Sequence, residues 1–374
     1  MGRSPDNRAV VVPLAATLAL GFLILSIAIY QVSVVPAETA KTEYEHSTTV
    51  REQFVDLSDS ITTAATDGTT APSTVSLGTD FPYRPGFVGP QRSSGTLETV
   101  GLGAATIENV SYPDSENPDR EYNTTGIRYT PSYSQYDVGA ETWLEHGVAV
   151  RRTGSGRGVG LSDQRLVDGS YLSLTLLNGT LSESATGSVT VPNRPVSVDE
   201  TTVELTQNGS GPITVVAPTR LNESTWGRLL AGERTPKGNI TAISVVERAG
   251  SETDELRMRL ANGSYELDVA SVAVGSGVAE PETAYLSAVT QNQTVREGST
   301  VPVSVQVRDR YDNPVSGVRL DYSVDCAQSL PIRSDERGIA TCEYEASGSG
   351  STEITVSVDG SPDIDTRIEF NIVS

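Results

Sequence analysis

Apolar residues follow three successive patterns along the chain, and the first is an uninterrupted run near the amino terminus. No charged side chain occurs from residue 9 to residue 37, and the run AVVVPLAATLALGFLILSIAIYQVSVV lies within this stretch. It supplies more than the roughly 20 apolar residues that a helix needs to cross a bilayer. The pattern therefore predicts a transmembrane helix over 9–35.

Charges on either side of the run predict its orientation. Arg3 and Arg8 precede it, whereas acidic residues follow it from Glu38 onward. Since basic residues stay on the cytoplasmic side, 1–8 is expected to be a cytoplasmic tail and the bulk of the chain to be extracellular. The alternative is a secretory signal cleaved before Glu38, but its apolar core would be much longer than the usual 7 to 15 residues.

The second pattern is a helical stripe, which extends the first element outward. Apolar side chains recur at mixed three- and four-residue spacings, as on one face of a helix. They are Tyr44, Val50, Phe54, Leu57 and Ile61. We expect a stalk helix over 36–65. With the short basic amino terminus, this arrangement resembles archaeal type IV pilins and pilin-like surface proteins. Their usual Glu five residues after the leader would here be Leu14, if the leader were cut after Ala9.

The third pattern is the alternation typical of strands, and it occupies most of the chain. Residues 66–95 carry turn formers without a period and are expected to be a linker. From 96 to 280, short alternating runs such as YLSLTLLNG and TTVELTQNG end in Gly, Pro or Asn-Gly, which predicts a β-rich domain joined by hairpins. One interruption, with Asn222 as a candidate cap, predicts a short helix. This middle region resembles haloarchaeal pilin-like surface proteins.

Residues 283–374 show the most regular alternation, with turns every eight to twelve residues, as in an immunoglobulin-like sandwich. The segments VQVRDRYDNPVSGVRLDYSV and SDERGIATCEYEASGSGSTEITVSV resemble the invasin/intimin-type bacterial Ig-like repeat. The residues that fill the turn positions of that family are Asp309, Asn313, Pro314, Val315, Gly317, Asp335 and Gly338. Asp312 and Ser334 replace the Gly and Thr of its pattern. The resemblance implies a spacer or adhesin module on a cell surface, without catalysis.

The strand period also places the two cysteines. Val303, Val305 and Val307 share one face of a strand, and continuing the periods of neighbouring strands points both Cys326 and Cys342 into the same core. In an oxidising exterior such a pair favours a disulfide, which would add about 3 kcal/mol for a loop of this length. Two buried free thiols are the alternative.

Composition narrows the class of protein further. Forty-eight acidic and 27 basic residues give a net charge of -21, which disfavours nucleic acid as a partner. The only lysines are Lys41 and Lys237, and this acidic, lysine-poor balance resembles proteins of salt-loving archaea. Low aromatic content with 34 Gly and 20 Pro favours a mainly β fold over a helical bundle.

Asn-x-Ser/Thr acceptors exceed the about three expected by chance and all lie beyond the apolar run, in agreement with export. The eight acceptors are Asn109, Asn123, Asn178, Asn208, Asn222, Asn239, Asn262 and Asn292. They predict a glycoprotein, although Asn residues in turns would give the same pattern.

Candidate catalytic chemistry is sparse. The two histidines, His46 and His146, have no GxSxG motif beside them, and two Cys and two His far apart cannot form a zinc centre. GSGRGVG at 154–160 lacks the Lys-Ser/Thr of a phosphate loop and reads as a hairpin. The turn acids Asp309, Asp312, Asp335 and Glu336 lack EF-hand spacing, so neither a metal nor a cofactor is expected.

These patterns together predict a single-pass, membrane-anchored surface protein with a structural or adhesive role, contacting proteins or glycans. The alternatives are a pilin-like filament subunit and a secreted hydrolase that uses Glu145 or His146, with the Ig-like module as an accessory. Ligand, oligomeric state and the division of 96–280 stay open at this point.

Overall fold

The computed structural model describes residues 8–84, 89–112, 120–137, 139–152, 158–209, 211–277, 282–327 and 331–373, with side chains from residue 14 onward. The predicted basic tail over 1–8 and the boundary between 280 and 283 therefore fall largely outside the described residues. The predicted fold class is confirmed: the chain is mainly β, with one long apolar helix at its amino terminus.

Two helices run together without a break at the start of the chain. Helix α1 spans Arg8–Ile29 and helix α2 spans Val35–Asp67, joined by one π-helical turn at Tyr30–Val34. Pro36 is tolerated because it lies in the first turn of α2. The helix ends at Gly68, whose φ of 64° gives the left-handed cap that glycine favours.

The middle domain contains seventeen strands and one short helix among the described residues. In chain order the strands are β1 Ser73–Ser76, β2 Gly95–Glu108, β3 Val110–Ser111, β4 Tyr122–Pro131, β5 Glu141–Glu145, β6 Val148–Arg152, β7 Gly158–Gly160, β8 Val167–Asp168, β9 Tyr171–Asn178, β10 Ser182–Ala185, β11 Ser188–Val191, β12 Asn193–Ser197, β13 Val203–Gln207, β14 Thr214–Thr219, β15 Ile240–Val246, β16 Asp254–Leu260 and β17 Tyr265–Val274. Helix α3 spans Glu223–Leu229, and Asn222 caps it as predicted, since its side chain accepts the Thr225 N–H.

These strands form two large sheets and a small one. The nine-stranded sheet runs β15-β16-β14-β2-β4-β5-β6-β7, with β10 also paired to β2. The six-stranded sheet runs β3-β13-β17-β9-β8, with β12 paired to β17, and β9 and β17 are parallel. Strands β1 and β11 form the third sheet. Side chains from both large sheets, such as Val215 and Leu267, share one core, so the sheets pack face to face.

Helix α2 belongs to a second core of the same domain. Its buried stripe includes Val50, Phe54 and Leu57, which pack with strand residues such as Leu97 and Val272. The helix predicted over 36–65 is present as part of α2, and its apolar stripe packs on the β domain. An apolar stripe on one helix face needs a partner surface, and here the β domain provides it.

The expected linker over 66–95 also differs, because β1 lies inside it. Val75 and Leu77 are fully buried, and β1 pairs antiparallel with β11. The alternating run of β1 is only four residues long and lies among prolines and glycines, so the sequence pattern did not reveal it.

The C-terminal domain is a β-sandwich, and its described residues form eight strands. They are β18 Thr283–Ala288, β19 Gln293–Arg296, β20 Thr300–Asp309, β21 Arg319–Tyr322, β22 Ile332–Arg333, β23 Ile339–Glu345, β24 Gly350–Val358 and β25 Ser361–Val373. One sheet runs β18-β20-β23 and the other β19-β25-β24-β21-β22. The predicted inward face of β20 is confirmed, since Val303, Val305 and Val307 are fully buried between the sheets.

Two turn glycines of this domain have the predicted positive φ, at 76° for Gly317 and 71° for Gly338. Gly338 is also required for space, because a Cβ there would lie 2.6 Å from the Val307 carbonyl oxygen. The turn between β22 and β23 therefore accepts only glycine without rearrangement.

Candidate functional site: the exposed apolar helix and the domain junction

Helix α1 exposes apolar side chains on all its faces. From Leu14 to Val32 none of the described side chains is buried, and Phe22 and Val32 are 68% and 77% exposed. The helix is long and apolar enough to cross a membrane. Burial begins abruptly at Val35, which is 5% exposed, so the β domain starts directly where the exposed apolar segment ends.

A buried carboxylate fastens α2 to the loop between β4 and β5. Glu43 is fully buried, and one of its oxygens accepts the Ser134 N–H at 2.8 Å and the Ser134 hydroxyl at 3.0 Å. The other oxygen accepts the N–H groups of Gln135 at 2.8 Å and Tyr136 at 2.7 Å. Charge-assisted bonds of this kind are stronger than neutral ones, so Glu43 holds the loop against the helix.

One turn further along, His46 joins the same loop. Its Nδ1 lies 2.6 Å from the Tyr133 hydroxyl, and burial lowers the pKa of the imidazole, against a smaller opposing effect of the Ser76 backbone. The ring is therefore neutral at pH 7. Tyr44 packs edge-on against Tyr136, with ring centroids 5.3 Å apart. His46 therefore lies on α2, as predicted, and its contact with Tyr133 joins the helix to the loop.

The turn after β20 lies between the two domains. Its predicted motif residues Asp309 and Asn313 are only 2% exposed, as is Asp312 at 1%, although turns normally face solvent. The covering groups come from the middle domain. This turn is therefore the junction between the sandwich and the rest of the molecule.

Asp312 makes the ionic contact of the junction. One carboxylate oxygen lies 2.8 Å from Arg120 Nη1, and the other accepts the Tyr285 hydroxyl at 2.7 Å. Arg120 also stacks over the Tyr112 ring, 3.6 Å from its centroid. The backbone of Asp312 has a φ of 70°, the left-handed region that glycine favours. Asp312 therefore makes an interdomain ion pair from a strained backbone position.

Asn313 makes the polar contact beside it. Its Nδ2 donates to Ser197 Oγ at 2.8 Å and to the Val269 carbonyl at 2.7 Å, while its Oδ1 accepts the Glu200 N–H at 3.4 Å. Both groups of the amide are thus engaged with β12, β17 and the segment after β12. In the same turn, the Tyr311 ring stacks against the Tyr122 ring of β4, and the two ring centroids are 6.4 Å apart.

The remaining turn acids are occupied by their own backbone. Asp309 Oδ1 accepts the Tyr311 and Asn313 N–H groups, and burial raises the pKa of the carboxyl, opposed by these hydrogen bonds. Asp335 Oδ1 accepts the Arg337 and Ile339 N–H groups. Within the described ranges, no group of three or more acidic, His or Cys side chains could hold a metal ion.

Glu145 and His146, the residues of the hydrolase alternative, lie at the end of β5 and in the tight turn that follows it. Glu145 is fully buried and accepts the Thr219 hydroxyl and the Arg220 N–H, and burial raises the pKa of its carboxyl. His146 is 4% exposed and its Nε2 donates to the Pro218 carbonyl at 2.6 Å. Both side chains tie the turn to the end of β14. Of the GSGRGVG segment, 154–157 lies outside the described residues, and the rest forms β7.

None of the eight Asn acceptors is buried. Asn123, Asn208, Asn262 and Asn292 are exposed, and the other four are half-buried. Three of the half-buried ones use their side-chain amide within the protein: Asn109 donates to the Pro212 carbonyl, Asn178 donates to Ser271 Oγ, and Asn222 caps α3. Among the exposed ones, Asn292 Oδ1 accepts the Glu369 N–H at 2.8 Å. By exposure alone, the four exposed side chains are the more accessible to modification.

Cys326 and Cys342 form a disulfide, with Cα atoms 5.3 Å apart. Cys342 is fully buried in the sandwich core and Cys326 packs against it. The bridge ties the segment after β21 to β23, as the strand periods predict.

Comparisons with known proteins add little to this picture. No protein-family model matches the chain. An uncharacterized protein of Archaeoglobus fulgidus is 24% identical over 388 aligned residues, which cover 98% of this chain. The chain spans 63% of the length of that relative.

Among solved structures, similar chains include invasin, a bacterial integrin-binding protein, with 12% identity, a TM-score of 0.25, and coverage of 74% of this chain and 39% of that one. The D0-D1 domain of intimin has 12% identity, a TM-score of 0.20, and coverage of 44% and 91%. Domains 4 and 5 of the S-layer protein SbsC have 15% identity, a TM-score of 0.21, and coverage of 32% and 63%. Because these TM-scores are low, the description of the C-terminal domain rests on its own two sheets and their shared core. The protein is a mainly β chain with an apolar helix at one end and an Ig-like sandwich at the other.

Proposed function

We propose that this protein is a membrane-anchored surface protein, with 9–35 crossing the membrane and the β domains outside, in a structural or adhesive role. One observation carries the proposal: a single helix is exposed and apolar from Leu14 to Val32 and becomes part of the domain core from Val35 onward. Water disfavours such an exposed apolar length, whereas a bilayer of about 30 Å stabilises it.

The arrangement of the domains supports a presenting role. The Asp199 N–H donates to the Ala65 carbonyl near the end of α2, and the neighbouring Glu200 contacts Asn313 of the junction. Ala65 is 31 residues beyond Val34, which is about 46 Å along a helix axis. The junction turn therefore lies far from the membrane, and the Ig-like module over 283–374 is attached at that distal end.

The chemistry of the buried groups supports a role without catalysis. Glu43 and Glu145 each accept hydrogen bonds from backbone or hydroxyl groups of another element, and Asp309 accepts them from the backbone of its own turn. The surface contacts of the protein are proposed to be with proteins or glycans, and the exposed acceptors Asn123, Asn208, Asn262 and Asn292 are proposed glycosylation sites.

Protease treatment of intact cells tests the anchor and the orientation. We expect the protease to remove the Ig-like module from whole cells while an uncut amino-terminal fragment stays in the membrane fraction. Mass determination of that fragment should show residues 9–35 retained. A soluble product that starts near Glu38 would contradict the anchor, and a chain protected from the protease in intact cells would contradict the orientation.

A filament subunit is the second candidate function, and the continuity of the helix favours it. Residues 14–34 leave the domain as an exposed apolar rod, which neighbouring subunits could surround instead of lipid. This version requires that a peptidase cut the chain before the apolar run. Electron microscopy of sheared cell-surface material, with amino-terminal sequencing, distinguishes the two: fibres made of a chain that starts near residue 9 would favour the filament.

A further inference from the structure

The loop between β1 and β2 carries an exposed aromatic side chain near the base of the domain. Tyr83 is 89% exposed and is the most exposed tyrosine of the described residues. Pro82 beside it is exposed as well. Tyrosine has an apolar ring and a polar hydroxyl, so an exposed one suits a surface that is apolar on one side and wet on the other. Tyr83 is therefore available for contact with a partner of that kind.

An ion pair fixes this loop to the start of α2. Arg84 Nε donates to Glu38 Oε2 at 2.9 Å, and its Nη2 lies 2.6 Å from the same oxygen. The Arg84 side chain is only 8% exposed, so the guanidinium is packed in place. Within the loop, Arg92 Nε pairs with Asp80 at 2.7 Å. Tyr83 is thus held beside the helix at the level of Glu38.

The height of Glu38 places the loop at the edge of the bilayer. Glu38 is four residues beyond Val34, the last residue before burial begins, and four residues rise about 6 Å. The headgroup layer on each side of the hydrocarbon is about 5–8 Å thick. Glu43, by contrast, is nine residues beyond Val34, about 13 Å, and therefore outside that layer.

We propose that Tyr83, with Pro82 and the half-buried Phe81, is a second membrane contact that lies in the lipid headgroup region of the outer leaflet. Tyrosine suits this place because its ring is apolar and its hydroxyl is polar, and aromatic residues are enriched at such interfaces. The proposal rests on the membrane anchor proposed above. It adds that the loop fixes the depth and tilt at which the domain sits on the bilayer.

The charge of the chain defines the kind of lipid contact. With a net charge of -21, the domain is not attracted to anionic headgroups. The contact therefore depends on burial of aromatic surface, and its depth should not change between low and high salt.

Spin labels at three positions of the full-length chain, reconstituted in phosphatidylcholine vesicles, test the contact. The variants are Ile24→Cys in the span, Tyr83→Cys in the loop, and Val289→Cys in the distal sandwich, where the wild-type side chain is 49% exposed. The native cysteines are bridged and do not react with the label. Collision rates with oxygen and with a water-soluble nickel chelate give the depth of each label.

We expect the Ile24 label deep in the hydrocarbon, the Val289 label in water, and the Tyr83 label within about 5–8 Å of the hydrocarbon edge. In a Glu38→Ala background, which removes the ion pair, the Tyr83 label should move toward water while the Ile24 label stays in place. A Tyr83 label as accessible to the nickel chelate as the Val289 label would overturn the proposal and leave the anchor intact.

Two further outcomes separate the possible failures. An Ile24 label in water would show that the span is not inserted, which defeats the proposed anchor itself. A Tyr83 label that is immobile and shielded from both oxygen and nickel would indicate a protein neighbour instead of lipid, and would equally overturn the membrane contact.

Discussion

Asp199 lies beside the junction and has a perturbed carboxyl group. Burial, together with the charge of Asp268, raises the pKa of Asp199 to about 6 from its usual value near 3.8. A raised pKa means that the folded state favours the protonated form. The stabilising effect of that proton is fully present below about pH 4 and is lost as the pH rises through 6.

Replacing Asp199 by asparagine should therefore stabilise the protein at neutral pH. We expect Asp199→Asn to raise the free energy of unfolding by about 1 kcal/mol at pH 7.5, a value that allows for the partial exposure of the carboxyl group. At pH 4 we expect no measurable change. Urea unfolding in detergent at both pH values measures this. A variant that is less stable than the wild type at pH 7.5 would show that the charged carboxylate makes a favourable contact there.

For single residues, the sequence predicts the contacts that follow from the alternation of a strand. It does not predict contacts between segments that are far apart in the chain. The Cys326–Cys342 bridge and the positive φ at Gly317 and Gly338 follow from alternation and turn chemistry. The contact between Arg120 and Asp312 joins residues 192 positions apart, and no local pattern links them. The one available signal was the aspartate at a position where the family pattern has glycine.

Helix α2 contributes buried side chains to one core of the middle domain, so the stability of that domain depends on it. We expect Phe54→Ala to lower the free energy of unfolding by about 3–5 kcal/mol, because the ring is fully buried and its removal leaves a cavity. The matched control Glu52→Ala changes an exposed residue of the same helix and should lie within about 0.5 kcal/mol of the wild type. Thermal unfolding followed by near-ultraviolet circular dichroism measures both. Equal stabilities for the two variants would mean that the buried face of α2 does not stabilise the β domain.

Elements with clear alternation were predictable, whereas those buried on both faces were not. Strands such as β9, β13 and β17 match alternating runs in the sequence. Strands β5 and β6 show no alternation because they lie between two cores: Val148 faces one and Leu144 the other. Their turn has positive φ at His146 and Gly147, so a His-Gly pair does here what Asn-Gly usually does.

The whole molecule depends on the junction for its shape. We expect Arg120→Met to leave the Asp312 carboxylate buried without its cation, at a cost of about 3–5 kcal/mol for keeping the domains in contact. The sandwich should then separate from the middle domain and unfold in its own calorimetric transition. The control Arg319→Met breaks an exposed pair with Asp359 and should cost no more than about 1 kcal/mol. A single unchanged transition for Arg120→Met would mean that the ion pair does not couple the domains.

The burial of α2 in the β domain also affects how the protein is made. The helix is synthesised first, and its partners follow at very different distances: β1 comes directly after it, β5, β6 and β12 come later, and β17 follows some two hundred positions later. The apolar stripe of α2 is therefore only partly covered until β17 has been synthesised. A chain that stops before β17 would expose the rest of the stripe, and exposed apolar surface of this kind promotes aggregation.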